Sequence, residues 1–153
     1  MTHRLAIDGG APVRTAPIAP WPVFDDDTVA AVAKVLRSGR VNYWTGDEGR
    51  AFEREYAAYV GVPHAIAVAN GTVSIEALLR AAGIGPGDDV VTTPRTFVGT
   101  ASAIAAVGAR PVFADIDRDS GLVTAETIEA AATAQTRGVV VVHLAGWVAE
   151  MDA

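Results

Sequence analysis

Apolar positions recur at two different periods along the chain, and the change of period marks out the elements. From Asp25 the spacing is helical: Val29, Val32, Val35 and Leu36 follow an acidic start of Asp25, Asp26 and Asp27. Such a start suits the positive end of a helix, and Gly39 after Lys34 and Arg37 is a natural stop. A second helix is predicted over 47–60, with Phe52, Tyr56, Tyr59 and Val60 on one face and Gly61 at its end. Beyond it the rhythm alternates. Short apolar runs at 65–69, 89–93, 111–114 and 139–142 read as strands. Between them 72–82, 97–107 and 124 to about 134 read as helices, the last capped by Thr124. Nearly continuous apolar strands belong in a sheet covered on both faces. Alternation with short links implies right-handed crossovers and a parallel sheet, an α/β class. Ahead of all this, residues 1–24 carry Pro12, Pro17, Pro20 and Pro22 among Gly9 and Gly10, the composition of an extended arm. Trp21 and Phe24 give that arm something to dock with.

Charge narrows the partners. Twelve basic against eighteen acidic side chains leave a net charge of -6 over 153 residues. That balance disfavours a nucleic-acid or anionic-membrane surface. With no cysteine, disulfides, thiolate metal sites and cysteine nucleophiles are excluded. The opening residues from Met1 to Leu5 lack the long apolar segment of a signal peptide, and no apolar run reaches the roughly 18 residues of a spanning helix, so a cytoplasmic protein is expected. Eleven arginines stand beside a single lysine, Lys34.

In open α/β sheets ligands bind beyond the carboxyl ends of the strands, so the residues following each run carry the candidate chemistry. Asn70-Gly71-Thr72-Val73-Ser74 opens a helix. A glycine that admits close approach, hydroxyls and free helix N–H groups together make an anion site, most simply for phosphate. Capping alone explains Asn70 and Thr72 equally well. After the second run, Phe97 sits where a ring could stack on a flat heteroaromatic ligand, or simply start a helix core. Asp115, Asp117 and Asp119 follow the third run, with no further acidic or histidine cluster to complete a metal shell, and read as turn formers. His143 ends the fourth run, a ligand contact or a hydrogen-bonded strand-end histidine. Gly83-Ile84-Gly85-Pro86-Gly87-Asp88 superficially suggests a dinucleotide fingerprint, but it follows a helix, contains proline and has the wrong spacing.

Taken in order, Asn70-Gly71-Thr72, Gly83 to Val91, Thr96-Phe97-Val98-Gly99-Thr100-Ala101, Pro111 to Asp117, His143-Leu144-Ala145-Gly146-Trp147 and Met151-Asp152 resemble the N-terminal part of the DegT/DnrJ/StrS family of sugar aminotransferases. Tyr43-Trp44-Thr45-Gly46 and Phe52-Glu53 also fit. The resemblance implies the aspartate-aminotransferase-like fold, type I of the pyridoxal-phosphate-dependent transferases: three layers around a mainly parallel sheet. It implies pyridoxal 5′-phosphate as cofactor, with Gly71 and Thr72 at its phosphate, Phe97 on its ring, and Asn70 and His143 beside them. It implies amino transfer, commonly from glutamate, to a nucleotide-linked keto sugar by a homodimer in sugar, polysaccharide or antibiotic biosynthesis. The family's Schiff-base lysine and its pyridine-nitrogen carboxylate match no residue of this sequence, and Lys34 falls on an outward-facing helix. The expectation is therefore an arm over 1–24 and a partial large domain over 25–153, incomplete at its C-terminal end. Such a chain is expected to be inactive alone, with an unpaired sheet edge that favours association with a partner carrying the rest. Val148 stands where many relatives carry proline, and Arg95 where they carry a small residue. The alternatives are a non-catalytic binding or dimerisation module on the same fold, and an ordinary nucleotide-binding α/β domain, against which the failed fingerprint counts.

Overall fold

The computed structural model describes residues 4–152 and divides into two compact units, 1–65 and 66–153. Met1, Thr2 and His3, the start of the expected arm, and Ala153 lie outside the described residues.

The first unit holds two helices. α1 (Asp26–Ser38) begins where the acidic triplet predicts: the Asp25 carboxylate accepts the Thr28 N–H at 2.8 Å, which holds its pKa below the ordinary value. It ends at Gly39, whose left-handed φ of 68° needs a residue without Cβ. α2 (Glu48–Val60) ends the same way at Gly61. Among its described residues the arm contains a 3-10 turn, Ala6–Asp8. Trp21 is 92% exposed, whereas Phe24 lines an apolar groove with Val29, Val32 and Leu36 of α1. Lys34 is exposed on α1, as its place in the pattern predicts.

The second unit is the α/β part. α3 (Gly71–Ala81), β1 (Asp89–Thr92), α4 (Gly99–Ala106), β2 (Arg110–Phe113), α5 (Ala125–Ala131) and β3 (Thr136–Val139) alternate along the chain. The strands form a parallel sheet in the order β2-β1-β3. Val90 and Val91 on the central strand are wholly buried and point to opposite faces. Val90 packs with Leu79 of α3 and with Ile104, Val107 and Ala109 on one side. Val91 packs with Ala114 and Val123 on the other, beside Ile128 of α5. The result is the expected three layers: α3 and α4, the sheet, and α5.

Two expected strands differ. Residues 65–69 belong to no strand, and Ile66 is 82% exposed. An apolar run becomes a strand only where a neighbour offers its ladder, and the three described strands pair with one another. β3 lies three residues earlier than the run at 139–142, because its register against β1 starts at Thr136; only the Val140 N–H, donating to Val91 O at 2.9 Å, carries the ladder on. The helix from Thr124 stops at Ala131, because Ala132 turns extended and Thr133 bonds elsewhere.

The entrance edge of the sheet is pinned by Asp89. Its carboxylate, almost wholly buried, takes two bonds from the Arg110 guanidinium at 2.7 and 2.6 Å and one from the Thr133 hydroxyl at 2.5 Å. These bonds tie β1 to β2 and to the approach to β3, and they push the Asp89 pKa down to about 2.

Candidate functional site

Because the strands run parallel, the segments that leave them gather at one edge of the sheet: 93–97 after β1, 114–117 after β2 and 140–143 after β3. The Arg95 side chain braces the first of these, its guanidinium donating to Gly121 O at 2.7 Å. Gly121 lies directly under that guanidinium with φ of 68°, so neither its space nor its backbone accepts a side chain. Thr96 and Thr100 share a hydroxyl hydrogen bond of 3.0 Å across the start of α4. The acidic segment behaves as a turn. Asp117 accepts the N–H groups of Ser120 at 2.7 Å and Asp119 at 3.1 Å, which lowers its pKa. Among the described residues no group of three acidic, histidine or cysteine side chains could hold a metal. Gly83-to-Asp88 is a helix stop and turn, with Gly83 and Gly87 at positive φ and the Asp88 carboxylate on the Gly85 N–H.

Asn70 is the cap of α3: its side-chain oxygen accepts the Val73 N–H at 3.0 Å. That spends one of the amides a helix start leaves without intrahelical acceptors, while those of Gly71 and Thr72 stay available at the positive end of the helix. A Cβ added to Gly71 would meet nothing within 4 Å, so a ligand can approach this backbone closely. The Ser74 hydroxyl turns back to Gly71 O at 2.8 Å. The nearest acid along the helix, Glu76, is bound by Arg80 at 2.9 Å. The opening of α3 thus presents donors and no carboxylate, the chemistry an oxyanion requires.

Thr72 and Phe97 meet at Gly99. A Cβ on that buried glycine would overlap the Thr72 hydroxyl and lie 2.7 and 2.8 Å from two carbons of the Phe97 ring. The missing side chain lets the hydroxyl at the anion end and the aromatic ring share one spot. The ring itself is 74% exposed, with a face open to a partner. Gly99 is the site residue that the pattern of apolar positions does not reveal; its only signal is a glycine opening a helix two residues after an aromatic. His143 stands apart from this group. Its Nδ1 accepts the Ala149 N–H at 3.1 Å, so in the neutral ring the proton sits on Nε2, and it makes no hydrogen bond to residues 70–72. A phosphate at α3 and a flat ring against Phe97 both fit these residues, so the site suits pyridoxal 5′-phosphate.

The family model for DegT/DnrJ/EryC1/StrS aminotransferases matches residues 22–153. The chain belongs to that family. Among curated relatives of this DegT/DnrJ/EryC1/StrS chain is an L-glutamine:2-deoxy-scyllo-inosose aminotransferase of Streptomyces kanamyceticus, 42% identical over 155 residues, covering 98% of the chain and 36% of the relative. An aminotransferase from Psychrobacter cryohalolentis superposes with a TM-score of 0.84 at 47% identity, covering 87% of the chain and 34% of the solved one. A Streptococcus pneumoniae protein described as a sugar aminotransferase and solved in a PLP form gives a TM-score of 0.79 at 32% identity, over 88% of the chain and 34% of its own. The chain therefore spans little more than a third of the length of such relatives.

Proposed function

We propose that this chain supplies the phosphate and ring contacts of a pyridoxal-phosphate-dependent aminotransferase. Bound there, the cofactor supplies an electron sink for amino-group chemistry. The Gly71 and Thr72 amides and the Thr72 hydroxyl hold its phosphate, and Phe97 lies against its ring. Asn70 acts through the helix: by capping Val73 it keeps the two amides before it in line. The side chain turned toward its own backbone makes Asn70 a positioning residue rather than a contact. His143, with Nε2 as its free donor, is assigned a polar contact at the same sheet edge. The observation that carries the reading is the convergence of Thr72 and Phe97 on Gly99.

The acceptor and donor are read from the relatives. The name of the Streptomyces kanamyceticus protein supports an amino transfer from L-glutamine to the ketone of a polyhydroxylated ring. A keto-cyclitol is favoured on that ground over a nucleotide-linked keto sugar, and glutamine over glutamate. The direct test is a titration of the isotope-labelled chain with pyridoxamine 5′-phosphate, followed by NMR. Saturable shifts of the Gly71 and Thr72 amides and the Phe97 ring protons are expected, and pyridoxamine without its phosphate should leave the two amides still. A phosphate ester that binds without moving those amides overturns the assignment.

A further inference from the structure

The first unit contains a cavity of about 290 Å³ lined by Tyr43, Arg50, Glu53, Arg54, Ala57 and His64. Four of these lie on one face of α2 at the spacing i, i+3, i+4 and i+7, with Ala57 buried at its floor. Arg50 and Arg54 are therefore neighbours of like charge, an arrangement that costs a helix stability. The acid between them, Glu53, lines the same cavity and accepts the Tyr43 hydroxyl at 3.0 Å, so it offsets only part of that repulsion. Arg50 lies 4.8 Å above the Tyr43 ring, donates to Gly46 O at 3.5 Å and reaches the Asp47 carboxylate only at 3.9 Å. Arg54 has no hydrogen bond or ion pair to another described residue, and the positions three and four away from it are Arg50, Ala51, Ala57 and Ala58. None of those four is an acid. Two guanidinium groups, an imidazole and one carboxylate thus face one cavity, and of the two guanidinium groups only that of Arg50 has an acidic partner.

We propose that this cavity binds a small molecule through an oxyanion, phosphate or carboxylate, held between Arg50 and Arg54 with His64 as a further donor. An anion there turns the like-charge pair from repulsive to attractive, and the planar fork of each guanidinium matches either oxyanion in bidentate fashion. The Tyr43–Glu53 pair offers a polar rim for hydroxyl groups on the same ligand. The volume lies at the small end of ligand sites, roughly 300–1,000 Å³, which selects a compact metabolite over a dinucleotide.

The test is a titration of the labelled full chain with inorganic phosphate and, separately, with succinate, ionic strength being held constant with chloride. Saturable shifts at Arg50, Arg54 and His64 are expected with at least one of them. Saturation by phosphate alone marks a phosphorylated ligand, by succinate alone a carboxylated one, and either supports the site. Arg54→Gln should weaken that binding about tenfold and Arg54→Lys less, since lysine keeps the charge and loses the fork. Melting of Arg54→Gln should be unchanged or slightly raised, as the repulsion is removed. Shifts that chloride reproduces, shifts confined to Gly71 and Thr72, or an Arg54→Gln variant that binds as tightly as the parent would each overturn the proposal.

Discussion

Gly71→Asp separates folding from binding at the anion site. The new Cβ enters open space, and Gly71 does not need a left-handed backbone, so no steric cost arises. At the first position of α3 an aspartate gains about 0.3–1 kcal/mol from the helix dipole. Losing a glycine from a helix adds about 0.3 kcal/mol more. The variant should be as stable as the parent or melt about 1–4 °C higher. A phosphate dianion about 5 Å from the new carboxylate is repelled by roughly 2–3 kcal/mol at an effective dielectric between that of water and half of it, about a 30- to 160-fold loss of affinity. The assay pairs a thermal melt with a calorimetric titration of pyridoxamine 5′-phosphate. A variant that melts normally and binds within threefold of the parent would show that the phosphate does not sit on the opening of α3. A variant that loses both stability and binding would show that the open space above Gly71 is filled in solution.

Other variants probe the supports. Gly99→Ala places a methyl group against the Phe97 ring and the Thr72 hydroxyl; the exposed ring is expected to swing away, with melting little changed, its ring proton signals moved and pyridoxamine-phosphate affinity reduced about tenfold, and unmoved ring signals would refute the shared spot. Ile104→Ala empties a wholly buried position among Leu79, Val90, Val107 and Ala109; about 2–5 kcal/mol should be lost and the melting temperature should fall on the order of 10 °C, and a fall under about 3 °C would mean the two helices pack elsewhere. Asp89 titrates near 2 in the fold against 3.8 ordinarily; its contribution is present above about pH 4 and is lost as the pH falls toward 2. In Asp89→Asn that acid-dependent component should vanish from a pH series of denaturant melts, and an unchanged acid limb would disprove the role of the Asp89 carboxylate.

Local signals are legible in the sequence and non-local ones are not. α1, α2 and α3 are legible because each has a cap or stop written in consecutive residues: Asp25 with Gly39, Gly61, and Asn70. β1 is legible because a central strand covered on both faces needs apolar residues on both, which Val90 and Val91 supply between Asp89 and Thr92. Residues 65–69 look the same in composition, yet strand formation depends on a partner ladder that no local pattern records. β3 slipped because Thr136, Arg137 and Gly138 of this edge strand are not apolar; pairing with β1 determines it. At the site, Asn70, Gly71, Thr72 and Phe97 are visible as types at strand and helix ends. What is not visible is that Asn70 turns inward to its own helix, or that a glycine 27 residues beyond Thr72 lets its hydroxyl and a ring meet.

The arrangement of these residues also explains why site and core can be altered separately. Gly71 and Phe97 are exposed, while what holds them is buried: Leu79 anchors α3, Ile104 anchors α4, and Val90 of the sheet packs against both. The relative placement of the two helix starts therefore comes from the side chains behind them, and their closest approach from the absence of one at Gly99. A helix pair packed this way can tolerate change at its exposed ends at little cost in stability, because few of the lost contacts are buried. It cannot tolerate a shift of one helix along the other, since about 1 Å of misplacement is enough to spoil a binding geometry. Substitutions at Leu79 or Ile104 should consequently damage phosphate binding through geometry even where the fold survives, whereas substitutions at Phe97 should act on binding alone.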